Sequence, residues 1–140
     1  MTSGFCLLNG WLQSRALCAY DDIGSATHPR FLLGVALFLV GWYTNVSSDL
    51  ALTRLRKPGE SGYKIPRGGL FEYVSGAHFV AEVFEWTGYG IACGSLAPAA
   101  FAAFNWMGIG TRALATHAWN VEKFGAEYPK ERKRLIPLVW

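Results

Sequence analysis

The chain has 140 residues, of which 51% are hydrophobic and only 16% charged, with a formal net charge of +3. That length allows one domain, and a charged fraction well below the usual value of about 25% argues against an ordinary water-exposed surface and for a membrane. Cys6, Cys18 and Cys93 lie far apart without a CxxC pair, so neither a cysteine-built zinc site nor a disulfide framework is suggested, and they read as small apolar residues.

In chain order, residues 1–30 read as a partial helix followed by a luminal loop. Met1 to Asn9 lacks the basic n-region of a signal peptide. Leu7, Leu8, Trp11, Leu12 and Leu17 are interrupted by Gln13, Ser14 and Arg15, too often for a full span. "YDDIGSATHPR", Tyr20 to Arg30, is polar and contains Gly, Ser and Pro, as a loop outside the hydrocarbon does. From Phe31 no charge occurs until Asp49, so residues 31–52 are assigned as a span, since about 20 apolar residues cross the roughly 30 Å core.

Residues 53–70 form a loop rich in Gly, Pro and basic side chains. Residues 71–110 then supply two spans: Phe71 to Cys93, carrying Glu72, His78, Glu82 and Glu85, and Leu96 to Ile109, with Asn105 its only strongly polar side chain. Gly108 and Gly110 are expected to interrupt the pattern. Residues 111–140 follow as a helix with Leu114, Trp119, Val121 and Phe124 at amphipathic spacing, then the tail "EYPKERKRLIPLVW".

Arg54, Arg56, Lys57, Lys64 and Arg67 crowd the first basic loop, and Arg112, Lys123, Lys130, Arg132, Lys133 and Arg134 the C-terminal region. The positive-inside rule puts both on the cytosolic side, with the Tyr20 to Arg30 loop opposite.

Ionisable groups at membrane depth cost about 2.5–3.5 kcal/mol each on insertion scales, so Asp49, Glu82 and Glu85 are functional candidates. In a helix, His78, Glu82 and Glu85 fall at i, i+4 and i+7 and share one face. His28 and His117 are the only other histidines, and three or four converging ligands are not evident, so no metal site is expected. The "NVSS" sequon, Asn45 to Ser48, sits at the cytosol-facing end of a span, where no glycan is added. Asn45 and Asp49, at i and i+4, read instead as an inward polar face.

The basic loop leaves two physical readings open. It is either a solvated connector touching anionic headgroups, or an anion site in which arginine forks pair with phosphate and Gly68 and Gly69 open a helix N-terminus towards it. Dinucleotide fingerprints, Walker motifs and hydrolase triads are not recognised, because "GIACGS" and "MGIGTR" follow no strand.

"LRKPGESGYKIPRGGLFEYVSG", with "EVFEWTGYG", "RALATHAW" and "EKFGAEYPKERKRLIPLVW", resembles the C-terminal half of the steroid 5α-reductases, the 3-oxo-5α-steroid 4-dehydrogenases, collinearly from about Asn9 to Trp140. The resemblance implies an all-α polytopic bundle, the C-terminal part of a seven-span fold, in the endoplasmic reticulum with its C-terminus cytosolic. It implies NADPH as cofactor and reduction of the Δ4 double bond of a 3-oxosteroid, with hydride delivered to C5 and a proton to C4. Asn45, Asp49, Arg56, Glu82 and Arg112 match the family's cofactor contacts, and Tyr63 and Lys64 lie in the matching basic loop. His78 stands where Asn is usual, Thr116 where His is common, and Asn120 where Tyr is usual.

The family's carbonyl-polarising Tyr and its Glu partner belong to N-terminal spans, so this chain is expected to carry the cofactor half without a catalytic residue. The partners implied are a hydrophobic enone, the bilayer and an N-terminal half or full-length relative, with no nucleic acid. The alternatives are a non-catalytic membrane scaffold or regulatory fragment, or a related polyprenol or enoyl reductase.

Overall fold

A computed structural model describes residues 2–20, 26–55, 59, 60 and 62–139. Among the described residues the regular elements are all helices: α1 is Thr2–Tyr20, α2 Pro29–Arg54, α3 Ala77–Cys93 and α4 Leu96–Phe124, with short 3-10 turns at Gly69–Glu72 and Gly125–Glu127. The all-α expectation holds. Only α2, among the described residues, is both long and apolar enough to cross a membrane.

Local chemistry sets the helix ends. Before α2, the His28 imidazole accepts the Arg30 N–H at 3.2 Å and Pro29 occupies the first helical turn, where a missing N–H costs nothing. Between α3 and α4 the chain reverses on Gly94, whose φ of 66° is left-handed, and Ser95.

Helix α2 lies against α3 at backbone contact. A Cβ on Gly34 would come within 2.7 Å of Gly88 O, one on Gly88 within 2.7 Å of Gly34 O, and one on Gly41 within 2.8 Å of Ala81 O. This is the small-residue packing used where lipid offers no hydrophobic drive for helices to associate. Outside the seam, Leu32, Leu33, Leu39, Val40, Trp42 and Tyr43 of α2 and Leu7, Leu8, Trp11 and Leu12 of α1 are exposed, an apolar exterior suited to hydrocarbon.

Three boundaries differ from those read in the sequence. Helix α1 is continuous across Gln13, Ser14 and Arg15; the Gln13 amide donates to Ala97 O and accepts from the Tyr89 hydroxyl, both at 3.4 Å. Helix α3 starts at Ala77 rather than Phe71, the intervening residues forming the 3-10 turn and an irregular link. Helix α4 runs unbroken through Gly108 and Gly110. A helical glycine costs only about 0.5–1 kcal/mol relative to Ala, and burial of Ile109 and Ala113 in the core outweighs it.

That core joins Phe71 and Val74 of the link, Ala77, Val80 and Val83 of α3, Ile109 and Ala113 of α4, and Leu135 of the tail. Loop, bundle and tail therefore pack as one unit at the end of the molecule where α3 begins.

Candidate functional site

The polar residues singled out in the sequence meet where α2, α3 and α4 approach that core. Asn45 is half-buried on α2 and donates through Nδ2 to Glu85 Oε2 on α3 at 3.3 Å. One turn on, Asp49 lies within electrostatic reach of both His78 and Glu82, and Arg112 of α4 within reach of Glu82. Asn45 and Asp49 of α2, Glu82 of α3 and Arg112 of α4 are thus brought together from three helices. Glu85, a functional candidate in the sequence but not among the positions matched to cofactor contacts, belongs with them. The Nδ1 atom of His78 is buried there without a hydrogen-bond partner.

Tyr63 and Lys64 stand further out. The Tyr63 ring meets Trp119 edge-on at 4.7 Å, and Trp119 follows Arg112 by seven residues, two turns along the same face of α4. Lys64 pairs with Glu60. Arg56 lies outside the described residues, as do Lys57 and part of the Tyr20 to Arg30 loop. Of the positions that depart from the resemblance, Asn120 is buried and Thr116 half-buried on α4.

The helix-N-terminus form of the anion reading is corrected by the geometry at Gly68. Gly68 and Gly69 do take positive φ, 88° and 55°, but the Gly68 N–H donates to Glu72 Oε1 at 2.6 Å, and Arg67 stands 3.7 Å from the other carboxylate oxygen. The loop's own carboxylate fills the place an anion would take. That amide bond, with Arg132 and Arg67, holds the Glu72 carboxyl below its ordinary value of 4.5, against a smaller opposing effect of burial. A depressed carboxylate contributes stability that is complete above pH 4.5 and fades as pH falls through the lower folded value. Glu72→Gln is therefore expected to flatten the acid limb of the thermal-stability profile below pH 4.5, measured on detergent-solubilised protein; an unchanged limb would show that Glu72 does not couple loop and tail.

The C-terminal tail, read in the sequence as a basic and then apolar end, is built into the core beside the link that precedes α3. Lys133 pairs with Val74 in a parallel bridge, exchanging its N–H with Tyr73 O at 2.8 Å and its carbonyl with Ser75 N at 3.0 Å. Buried Ser75 accepts from the Tyr128 hydroxyl at 2.8 Å and lies 2.6 Å from His117 Nδ1. Sequence periodicity has no means of finding this network, because its members come from a link, a helix and a tail. Ser75→Ala would strand the buried Tyr128 hydroxyl, and is expected to cost about 1–3 kcal/mol. A melting curve of the solubilised protein indistinguishable from wild type would remove the network from the account.

A family model described as 3-oxo-5-alpha-steroid 4-dehydrogenase matches residues 1–140. 3-oxo-5-alpha-steroid 4-dehydrogenase 1 of Mus musculus is 53% identical over 137 residues, covering 96% of this chain and 53% of its own length. The human type 1 protein is 50% identical over 138 residues, with 97% and 53% covered. The human type 2 protein is 48% identical over 140 residues, with 99% and 55% covered. The chain spans about half the length of these curated relatives.

Proposed function

The chain belongs to the 3-oxo-5-alpha-steroid 4-dehydrogenase family, and from that premise we propose that it carries the NADPH-holding half of a membrane reductase acting on the Δ4 double bond of 3-oxosteroids. The observation that carries the proposal is the convergence of Asn45, Asp49, Glu82, Glu85 and Arg112 from three helices, with an orphaned His78 nitrogen among them.

The donor set fits a dinucleotide in two parts. Carboxylates and an amide suit the hydroxyls of ribose and the carboxamide of nicotinamide, whose donors and acceptors they complement. His78 Nδ1 offers one further unused position. Phosphate needs positive charge, and Arg56, Lys64 and Arg112 supply it, Arg through paired N–H bonds. Tyr63, next to Lys64 in the chain and held against Trp119, offers an aromatic ring. NADPH when bound supplies the hydride; the residues named here bind and orient it, and none is assigned to catalysis. The site belongs in this proposal to the endoplasmic reticulum membrane, with the C-terminus cytosolic and an N-terminal half as the structural partner.

Cofactor binding to membranes bearing the chain tests the proposal. Asn45→Ala removes a hydrogen-bonding side chain and is expected to weaken NADPH binding about tenfold, a loss of about 1–1.5 kcal/mol. Asp49→Asn keeps an acceptor and is expected to lose less. NADPH affinity equal to wild type in both variants would overturn the assignment of this face to the cofactor.

A further inference from the structure

Residues 132–139 border two cavities of opposite character. One is a cleft of about 280 Å³ lined by His117, Arg132, Lys133, Arg134 and Val139, with no carboxylate among its lining residues. The other is an apolar groove of about 290 Å³ between Leu135, Ile136 and Pro137 of the tail and helix residues that include Leu37, Phe84 and Trp106. The groove's one lining side chain with a hydroxyl, Thr87, already accepts the Trp106 indole N–H at 2.9 Å.

Arg132 carries the unusual feature. Its side chain is fully buried, and Nη2 donates to Pro66 O at 2.7 Å, with Glu72 Oε2 3.9 Å away and the Tyr128 ring centroid 5.6 Å from its guanidinium carbon. Its Nε and Nη1 are buried with no partner. A guanidinium cannot shed its charge, so unmet buried donors call for an acceptor. The paired geometry of guanidinium donors suits phosphate oxygens.

We propose that this tail is a binding site for an anionic phospholipid, its phosphate in the basic cleft and one acyl chain in the adjoining groove. Charge complementarity selects an anionic headgroup, since Lys133 and Arg134 line the cleft together with Arg132, whose guanidinium is buried. The groove selects a lipid over a nucleotide, because a nucleotide has no saturated chain to fill an apolar channel. The sequence has the matching order: basic Lys130, Arg132, Lys133 and Arg134 precede Leu135 to Val139, of which Ile136, Leu138 and Val139 remain exposed. Basic residues at headgroup level followed by apolar residues in the acyl boundary is the arrangement of an interfacial anchor. The site lies apart from the residues proposed to hold NADPH.

The test is lipid retention by the whole chain in nanodiscs of phosphatidylcholine containing a minority of phosphatidylglycerol, read by native mass spectrometry. Wild type is expected to retain phosphatidylglycerol preferentially. Lys133→Gln with Arg134→Gln, which leaves the Lys133 backbone bridge in place, is expected to lose about thirtyfold of that preference, as two charges near the surface imply. Ile136→Asp puts a charge in the groove and should abolish retention of the lipid without changing affinity for glycerol phosphate. Equal retention of both lipids would overturn the proposal. So would glycerol phosphate binding as tightly as phosphatidylglycerol, which would make this a free-phosphate site, or displacement of phosphatidylglycerol by NADP, which would give the cleft to the dinucleotide. NADPH affinity is expected to be unchanged in the double variant, so failure here is distinguishable from failure of the cofactor assignment.

Discussion

Gly41→Val is expected to separate α2 from α3 and to remove most of the folded protein. A Cβ at residue 41 would overlap the backbone nitrogen of Glu85 and sit 2.8 Å from Ala81 O. Both atoms belong to the α3 backbone, so no rotamer change relieves the clash. Overpacking commonly costs about 1–3 kcal/mol, and a clash with an opposing helix backbone belongs at the upper end. The damage would also reach the polar face, because Asn45 and Glu85 meet one turn from Gly41. The measurement is the fraction of solubilised protein that stays monodisperse on mild heating. Gly108, with nothing within 4 Å of a built Cβ, supplies the control, and Gly108→Ala is expected to leave stability equal or slightly higher. Equal survival of Gly41→Val and wild type would mean that the helices do not pack through their glycines.

Arg56→Ala is expected to weaken NADPH binding by about 1.5–3 kcal/mol, the range for a hydrogen bond to a charged group, or roughly ten- to over a hundredfold in affinity. Loss of a whole guanidinium removes both the charge and the paired donors that fit phosphate. The effect should shrink as ionic strength rises, because a site in a basic loop is partly screened. Cofactor binding to membranes bearing mutant and parent, at two salt concentrations, checks both statements. Equal affinity in the two chains would sink the phosphate assignment while leaving the Asn45 and Asp49 face standing.

The two halves of the cofactor proposal were legible to different degrees. Asn45 with Asp49 and His78 with Glu82 and Glu85 could be grouped from helical spacing alone, since residues four apart share a face. That the two groups face each other was not legible, because spacing within each helix says nothing of how one helix is rotated against another. Gly68 and Gly69 show the opposite failure. Their conformational freedom was visible and their positive φ was realised, yet Glu72, four residues on, turned back to fill the position offered to an anion.

Local sequence determined the helices and their apolar exteriors, because hydrophobic runs of sufficient length have few alternatives in lipid. Motif resemblance determined the family. Tertiary structure decided where α3 begins, that α4 runs on through its glycines, and what the tail does. Helix α4 passes through two glycines because Ile109 and Ala113 are buried beyond them, and α3 begins late because Phe71 and Val74 are taken into the core. The tail's basic and apolar residues were plain in the sequence. The seating of Arg132 and Lys133 on Pro66, Val74 and Ser75 was decided by contacts between residues about 60 apart, which no local pattern encodes.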